Sequence, residues 1–150
     1  MPDFPRLKPR ILLVEDDPDR IAAFRQWLAG SVHQSAFALI EASSGGQAMG
    51  VVQRGGEGVA GICLDHDLNS HPRTELDNVT SGTSVVTAIC NRFSRRVPIL
   101  VHSMNTLKGE NMFKRLRGAG FPATRIRMAA LTAERFCSWL DEVHDSLDWD

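Results

Sequence analysis

A doubly wound α/β domain built on one five-stranded parallel sheet is the fold this sequence predicts, and three observations predict it. From Arg10 onward, short apolar runs alternate with segments of helical period, five times over, as expected of repeated strand-helix units. The first and third runs, Ile11 to Glu15 and Val59 to Leu64, are almost continuously apolar and lead into acids, the pattern of central strands covered on both faces. The chain of 150 residues has the size of one domain and is long enough to bury a core without disulfide or metal staples. Residues 1–150 are therefore read as a single domain, with 1–9 as an N-terminal extension.

Each element has its own signature. Ile11 to Glu15 is the first strand, and Asp17-Pro18 follows as an N-cap and first-turn proline. In the helix so opened, Ile21, Phe24 and Leu28 form one apolar stripe, and Gly30 is placed to stop it. Phe37 to Glu41 is a second strand, less apolar and so nearer an edge. Ser44-Gly45-Gly46-Gln47 has capping-box spacing and opens a short helix through Val52, before the break at Arg54-Gly55-Gly56. After the third strand, Asn69 to Thr80 is polar, contains Pro72 and shows no period, which predicts a long surface loop able to act as a lid. Ser81 to Phe93 carries Val85, Val86 and Ile89 on one helical face. Val97 to Val101 is the fourth strand and ends at His102-Ser103. A fourth helix with Met112, Phe113 and Leu116 stops at Gly118-Ala119-Gly120, and Arg125 to Met128 is expected as a fifth, edge strand. Thr132 caps a last helix whose Phe136, Trp139, Leu140 and Val143 share a face.

Composition narrows the function classes. Apolar residues make up 43%, charged residues 23%, and the formal net charge is -1, so no global charge drives binding to nucleic acid or membrane. Cys63, Cys90 and Cys137 are odd in number, far apart and set in apolar runs, which reads as buried free thiols and a cytoplasmic protein. Met1 to Arg10 lacks the apolar core of a signal peptide, and no apolar run approaches the roughly 18 residues of a membrane span.

Open parallel sheets place ligands outside the carboxyl ends of their strands, where the strand order reverses. Glu15, Asp16 and Asp17 fall there after strand one, Asp65, His66 and Asp67 after strand three, and His102 to Asn105 after strand four. Asp17 precedes Pro18 and reads as a cap. For Asp16 and Asp65, like charges converging from two strands repel unless a cation neutralises them, and oxygen-only ligands suit a hard ion. A magnesium or manganese site is therefore expected on Asp16 and Asp65, with Glu15 ligating directly or through water.

ILLVEDDPDR resembles the opening of a response-regulator receiver domain, and GICLDHDL its phosphoacceptor strand. The resemblance spans essentially the whole chain and implies the strand order 2-1-3-4-5. It implies magnesium on Glu15 and Asp16, phosphate accepted by Asp65, a phosphoryl contact from Ser103, and a partner protein on the face of helix four. The family's strand-five lysine has no match, since Met128-Ala129-Ala130-Leu131 stands at its place. Without that cation, phosphorylation of Asp65 is expected to be poor and to leave helix four little changed.

LDHDL, Ser81-Gly82 before a helix, and VHSMN followed by Gly109 and Met112 resemble more closely the divergent receivers named for cyclic-phosphate processing. That family has an arginine soon after the first acid pair and an acid in the helix after the loop, where this chain has Pro18, with Arg20 close by, and Ser84. The resemblance implies phosphate binding by Ser103 and Asn105 and catalytic work by Asp65, His66, His102, Ser103 and Asn105. Opening a cyclic phosphodiester needs a water deprotonated, a leaving oxygen protonated and charge stabilised on the non-bridging oxygens. His66 and His102 are expected to serve the first two needs and the metal the third. Side chains alternate along a strand, so His66 points away from Asp65 and His102 away from Ser103, which leaves the histidines to meet on the second face or at the strand tips, where alternation relaxes.

Basic residues dominate from Arg92 to Arg127, while the last helix and tail are acidic. Opposite solvated faces account for this. The alternative is a basic shoulder beside the site that receives a nucleotide or a nucleic-acid end. Three functions thus compete: a cyclic-phosphate phosphoesterase, a phosphoacceptor in signalling, and a receiver-shaped binding module without chemistry.

Overall fold

The computed structural model describes residues 8–54, 58–65, 82–104 and 106–147. Five parallel strands, β1 (Arg10–Val14), β2 (Ala38–Ala42), β3 (Val59–Leu64), β4 (Ile99–Val101) and β5 (Ala123–Arg125), form one sheet in the order β2-β1-β3-β4-β5. The described helices are α1 (Pro18–Ala29), α2 (Gly45–Gln53), α3 (Gly82–Arg92), α4 (Thr106–Gly118) and α5 (Ala133–Ser146). None of them is long and apolar enough to cross a membrane.

Alternation along the strands divides the core in two. Leu12, Val14, Ile62, Leu64 and Val101 face α2, α3 and α4, burying Val52, Val86, Ile89, Met112 and Leu116. Ile11, Leu13, Cys63 and Leu100 face α1 and α5, burying Phe24, Leu28, Phe136, Trp139 and Leu140. Gly61 belongs to this second contact. A Cβ there would stand 2.9 Å from Trp139 Cη2 and 3.0 Å from Val143 Cγ2, so only glycine lets α5 lie this close to β3.

The caps follow the sequence. The Asp17 side chain accepts from the backbone N–H groups of Asp19 and Arg20, Ser44 from Gln47, and Thr132 from Arg135. Two expectations need correction. The fifth strand is Ala123–Arg125, not Arg125 to Met128, because pairing with β4 sets Ile99 against Ala123 and Val101 against Arg125. Met128–Ala130 is instead a turn of 3₁₀ helix. All three cysteines are free, but only Cys63 is fully buried; Cys90 on α3 and Cys137 on α5 are partly buried. The predicted lid at 69–80 lies outside the described residues.

Candidate functional site

Strand register builds the site. Val14 pairs with Leu64, and Leu64 with Val101. One residue further on, Asp65 N–H donates to Val14 O and His102 N–H to Leu64 O. Glu15, Asp65 and His102 therefore stand in a row across three strand tips, continuing the Leu13, Cys63 and Leu100 face. All three are buried, at 0%, 1% and 0% exposure. Asp16 and Ser103 fall on the opposite face, with Asp16 half-buried and Ser103 buried.

One oxygen from each of Glu15, Asp16 and Asp65 can be chosen so that all lie within 4.8 Å of one another. This is the spacing of ligands around one ion, and the donors are all hard oxygens. Glu15 Oε2 accepts from the Asp16 N–H at 2.9 Å and from the Asp17 N–H at 3.3 Å. Its Oε1 is buried without a hydrogen-bond partner among the described residues. Burial raises the Glu15 pKa; the Asp65 side chain, the two backbone N–H groups and the nearby Arg20 charge pull it back only in part. A carboxylate buried this way, with an oxygen left over, fits a cation ligand. Glu15, Asp16 and Asp65 thus fit the divalent ion that the sequence led us to expect.

Two arginines belong to this neighbourhood that the sequence reading did not place in it. Arg20 Nη1 lies 3.6 Å from Glu15 Oε1 and 3.6 Å from Asp65 Oδ2. It comes from the first turn of α1, and its signal is its spacing from Glu15, which puts it on the helix face turned back to the strand tips. Arg125, on β5, donates from Nη2 to Thr106 O at 3.0 Å and pairs through Nη1 with Glu110 at 3.4 Å. A Cβ at Gly109 would stand 3.0 Å from Arg125 Nη2 and 3.3 Å from Ser103 Cβ. The guanidinium and Ser103 thus pack on the same glycine. The register sets Arg125 level with Val101, two residues short of Ser103.

His102 joins the carboxylate row. Its Nε2 lies 3.3 Å from Glu15 Oε1, and its ring packs on Phe24 with centroids 4.9 Å apart. Burial lowers its pKa to about 4, against the pull of Asp65 and with help from Arg20, so the imidazole is neutral at pH 7. His66 and Asn105 lie outside the described residues. Of the groups at the strand tips, Asp16 and Arg20 are only half-buried, and solvent reaches the cluster through them.

The topology, the acid pair after β1 and the acid after β3 define a receiver. The sequence profile of the cyclic-phosphate processing receiver domain matches residues 11–118, and the chain belongs to that family. Solved structures with the same fold include the phosphorylated cyanobacterial phytochrome response regulator RcpA, at 22% identity over 89% of each chain and a TM-score of 0.63. The Mn(2+)-bound form of response regulator Rcp1 is 21% identical over 89% of this chain and 90% of its own, with a TM-score of 0.63. A response regulator receiver domain protein from Clostridium thermocellum is 13% identical over 93% of this chain and 95% of its own, with a TM-score of 0.64. No curated protein matches the chain in sequence.

Proposed function

We propose that this receiver holds a divalent ion, magnesium or manganese, and opens cyclic phosphates on a nucleotide or nucleic-acid end. The observation that carries the reading is the Glu15, Asp65 and His102 row: a phosphoacceptor needs the acids and Ser103, but not an imidazole 3.3 Å behind a metal-ligand candidate. That Rcp1, a protein of the same fold, has a Mn(2+)-bound form supports a divalent ion here.

When bound by Glu15, Asp16 and Asp65, the ion supplies Lewis acidity at a phosphoryl oxygen and lowers the pKa of bound water. The chain's own groups do the rest. Arg20 offsets negative charge on the non-bridging oxygens from the solvent-facing side. Ser103 and Asn105 contact phosphate. Ring opening breaks one bond between phosphorus and a ribose oxygen, which takes up a proton while water adds to phosphorus; His66, adjacent to Asp65 in sequence, is our candidate for that proton transfer. His102 is neutral and fully buried, and it works by orienting Glu15. The protein acts in the cytoplasm.

The second reading, phosphorylation of Asp65 in signalling, is supported by Asp65 and Ser103, both buried at the tips of neighbouring strands. One experiment separates the two. Purified protein with saturating MnCl₂ is given adenosine 2′,3′-cyclic phosphate in one arm and acetyl phosphate in the other. Ring opening seen by phosphorus NMR, with no mass gain from acetyl phosphate, is the expected result. A stable gain of one phosphoryl group that disappears in Asp65→Asn, without ring opening, establishes the signalling reading instead. Neither event, with metal occupancy confirmed, leaves a binding module. Replacing a side chain that orients a metal ligand costs about 10- to 100-fold in activity, whereas losing a direct acid or base costs about 10²- to 10⁴-fold. His102→Ala should fall in the first range and His66→Ala in the second.

A further inference from the structure

A cavity of about 370 Å³ opens between α3 and α4, lined by Thr83, Val86, Lys108, Asn111, Met112 and Arg115. Its size lies at the lower end of the roughly 300–1,000 Å³ typical of small-molecule sites. Lys108, Asn111, Met112 and Arg115 stand at i, i+3, i+4 and i+7, so one face of α4 forms a whole wall, about 10 Å long at 1.5 Å per residue. The lining described holds two cations and no acid.

We propose that this groove seats the nucleoside of a nucleotide whose phosphate lies at the carboxyl edge of the sheet. The inference rests on the reading that this edge handles a phosphoryl group, and it names what that group is attached to. The first turn of α4 links the groove's wall to the edge. Gly109, next to Lys108, packs against Ser103, its Cβ position 3.3 Å from Ser103 Cβ. The groove also lies on the α2, α3 and α4 side of the sheet, the side to which Asp16 and Ser103 point.

The lining matches the parts of a nucleotide. Val86 and Met112 are buried, at 1% and 4% exposure, and give an apolar floor on which a base face can lie. Asn111 is exposed and offers both a donor and an acceptor to a base edge. Lys108, in the same lining, supplies the positive charge for phosphate. At the far end Arg115 is held across the groove, donating from Nη2 to Thr87 Oγ1 at 2.7 Å and from Nη1 to Thr83 O at 3.4 Å. Its charge is therefore fixed as an end wall. Just ahead of Lys108 in the chain, Met104 is 45% exposed and Leu107 71% exposed. They are two of the three large apolar side chains so exposed among the described residues, and they sit within four residues of each other. Apolar surface collected at one place marks a contact surface.

A free nucleotide and the terminal residue of an RNA share this chemistry, and a groove about 10 Å long holds one nucleoside. The test is an NMR titration of the full chain with Mg²⁺, using adenosine 2′,3′-cyclic phosphate, inorganic phosphate, and a short RNA ending in the same cyclic group. The nucleotide should bind at least tenfold tighter than inorganic phosphate and shift amides within 83–87 and 108–115, and the RNA should gain less than threefold more. Asn111→Asp should weaken the nucleotide at least fivefold and leave inorganic phosphate within twofold. Lys114→Glu, on α4 but outside the groove, should change neither. Equal affinity for nucleotide and phosphate, or an equal loss in Lys114→Glu, overturns the assignment. RNA binding more than tenfold tighter than the nucleotide overturns the single-nucleoside groove. Groove shifts without ring opening would overturn the proposed chemistry alone; ring opening without nucleotide preference would overturn this inference alone.

Discussion

Replacing Asp65 with asparagine keeps the shape of the strand tip and removes one of three clustered negative charges, so the metal-free protein should become more stable. Two carboxylates at the 4.8 Å limit of this cluster repel by about 3–4 kcal/mol at an effective dielectric of 20. Arg20, at 3.6 Å from Asp65, gives back about 4–5 kcal/mol by the same rule. Losing the Asp65 charge removes two repulsions and one attraction. At these distances the two repulsions exceed the one attraction by about 2 kcal/mol, and solvent screening at the half-buried Asp16 and Arg20 leaves a net gain of about 1–2 kcal/mol. For a chain of this length that is about 3–6 °C in Tm. The introduced carboxamide can still hydrogen-bond Glu15, so little packing is lost. Removing the compensating cation should act in the opposite sense, and Arg20→Gln should lose about 1 kcal/mol, allowing for its partial exposure. Thermal unfolding in EDTA checks both. A lower Tm for Asp65→Asn, or a higher one for Arg20→Gln, would refute the picture of an under-neutralised acid cluster.

Gly61→Ala drives a methyl group to 2.9 Å from Trp139 and 3.0 Å from Val143, an overpacking that costs about 1–3 kcal/mol. Chemical denaturation should show that loss, and an unchanged midpoint would mean α5 is free to shift. His102 holds its pKa near 4 in the fold against about 6.5 when unfolded, so below pH 6.5 the unfolded chain binds a proton that the folded chain refuses. Stability from this group is complete above pH 6.5 and is lost as pH falls toward 4, by up to about 3 kcal/mol. Glu15, with its raised pKa, works in the other direction by accepting a proton in the folded state. His102→Gln should therefore flatten or reverse the acid slope; the same slope as wild type in urea titrations between pH 6.5 and 4 would contradict the assignment.

The strand-helix alternation and the two acid-tipped strands were readable because each depends on residues close in sequence. That Asp16 and Asp65 come together was readable for the same reason: a strand's carboxyl end can be located from its own apolar run. The partnership of His102 could not be read this way. Alternation fixes which residues of one strand share a face, but the pairing of Leu64 with Val101 decides which residues of neighbouring strands do. Reading β3 and β4 separately put the histidine on a face of its own, whereas the register brings it to Glu15. Arg125 was missed for a related reason. Sequence placed β5 too late, so the arginine looked like one of many surface charges, and only pairing with Val101 turns it toward Gly109 and Ser103. Arg20 was noticed near the acid pair, but its reach depends on how α1 leaves the sheet.

The acid trio as a metal centre underlies both the site and its chemistry, and manganese titration followed by electron paramagnetic resonance measures it without any assumption about substrate. The wild-type chain should bind one ion saturably. Asp16→Asn combined with Asp65→Asn should bind none, while circular dichroism shows the fold retained. Saturable binding of one ion that survives the double substitution would contradict the assignment of Glu15, Asp16 and Asp65.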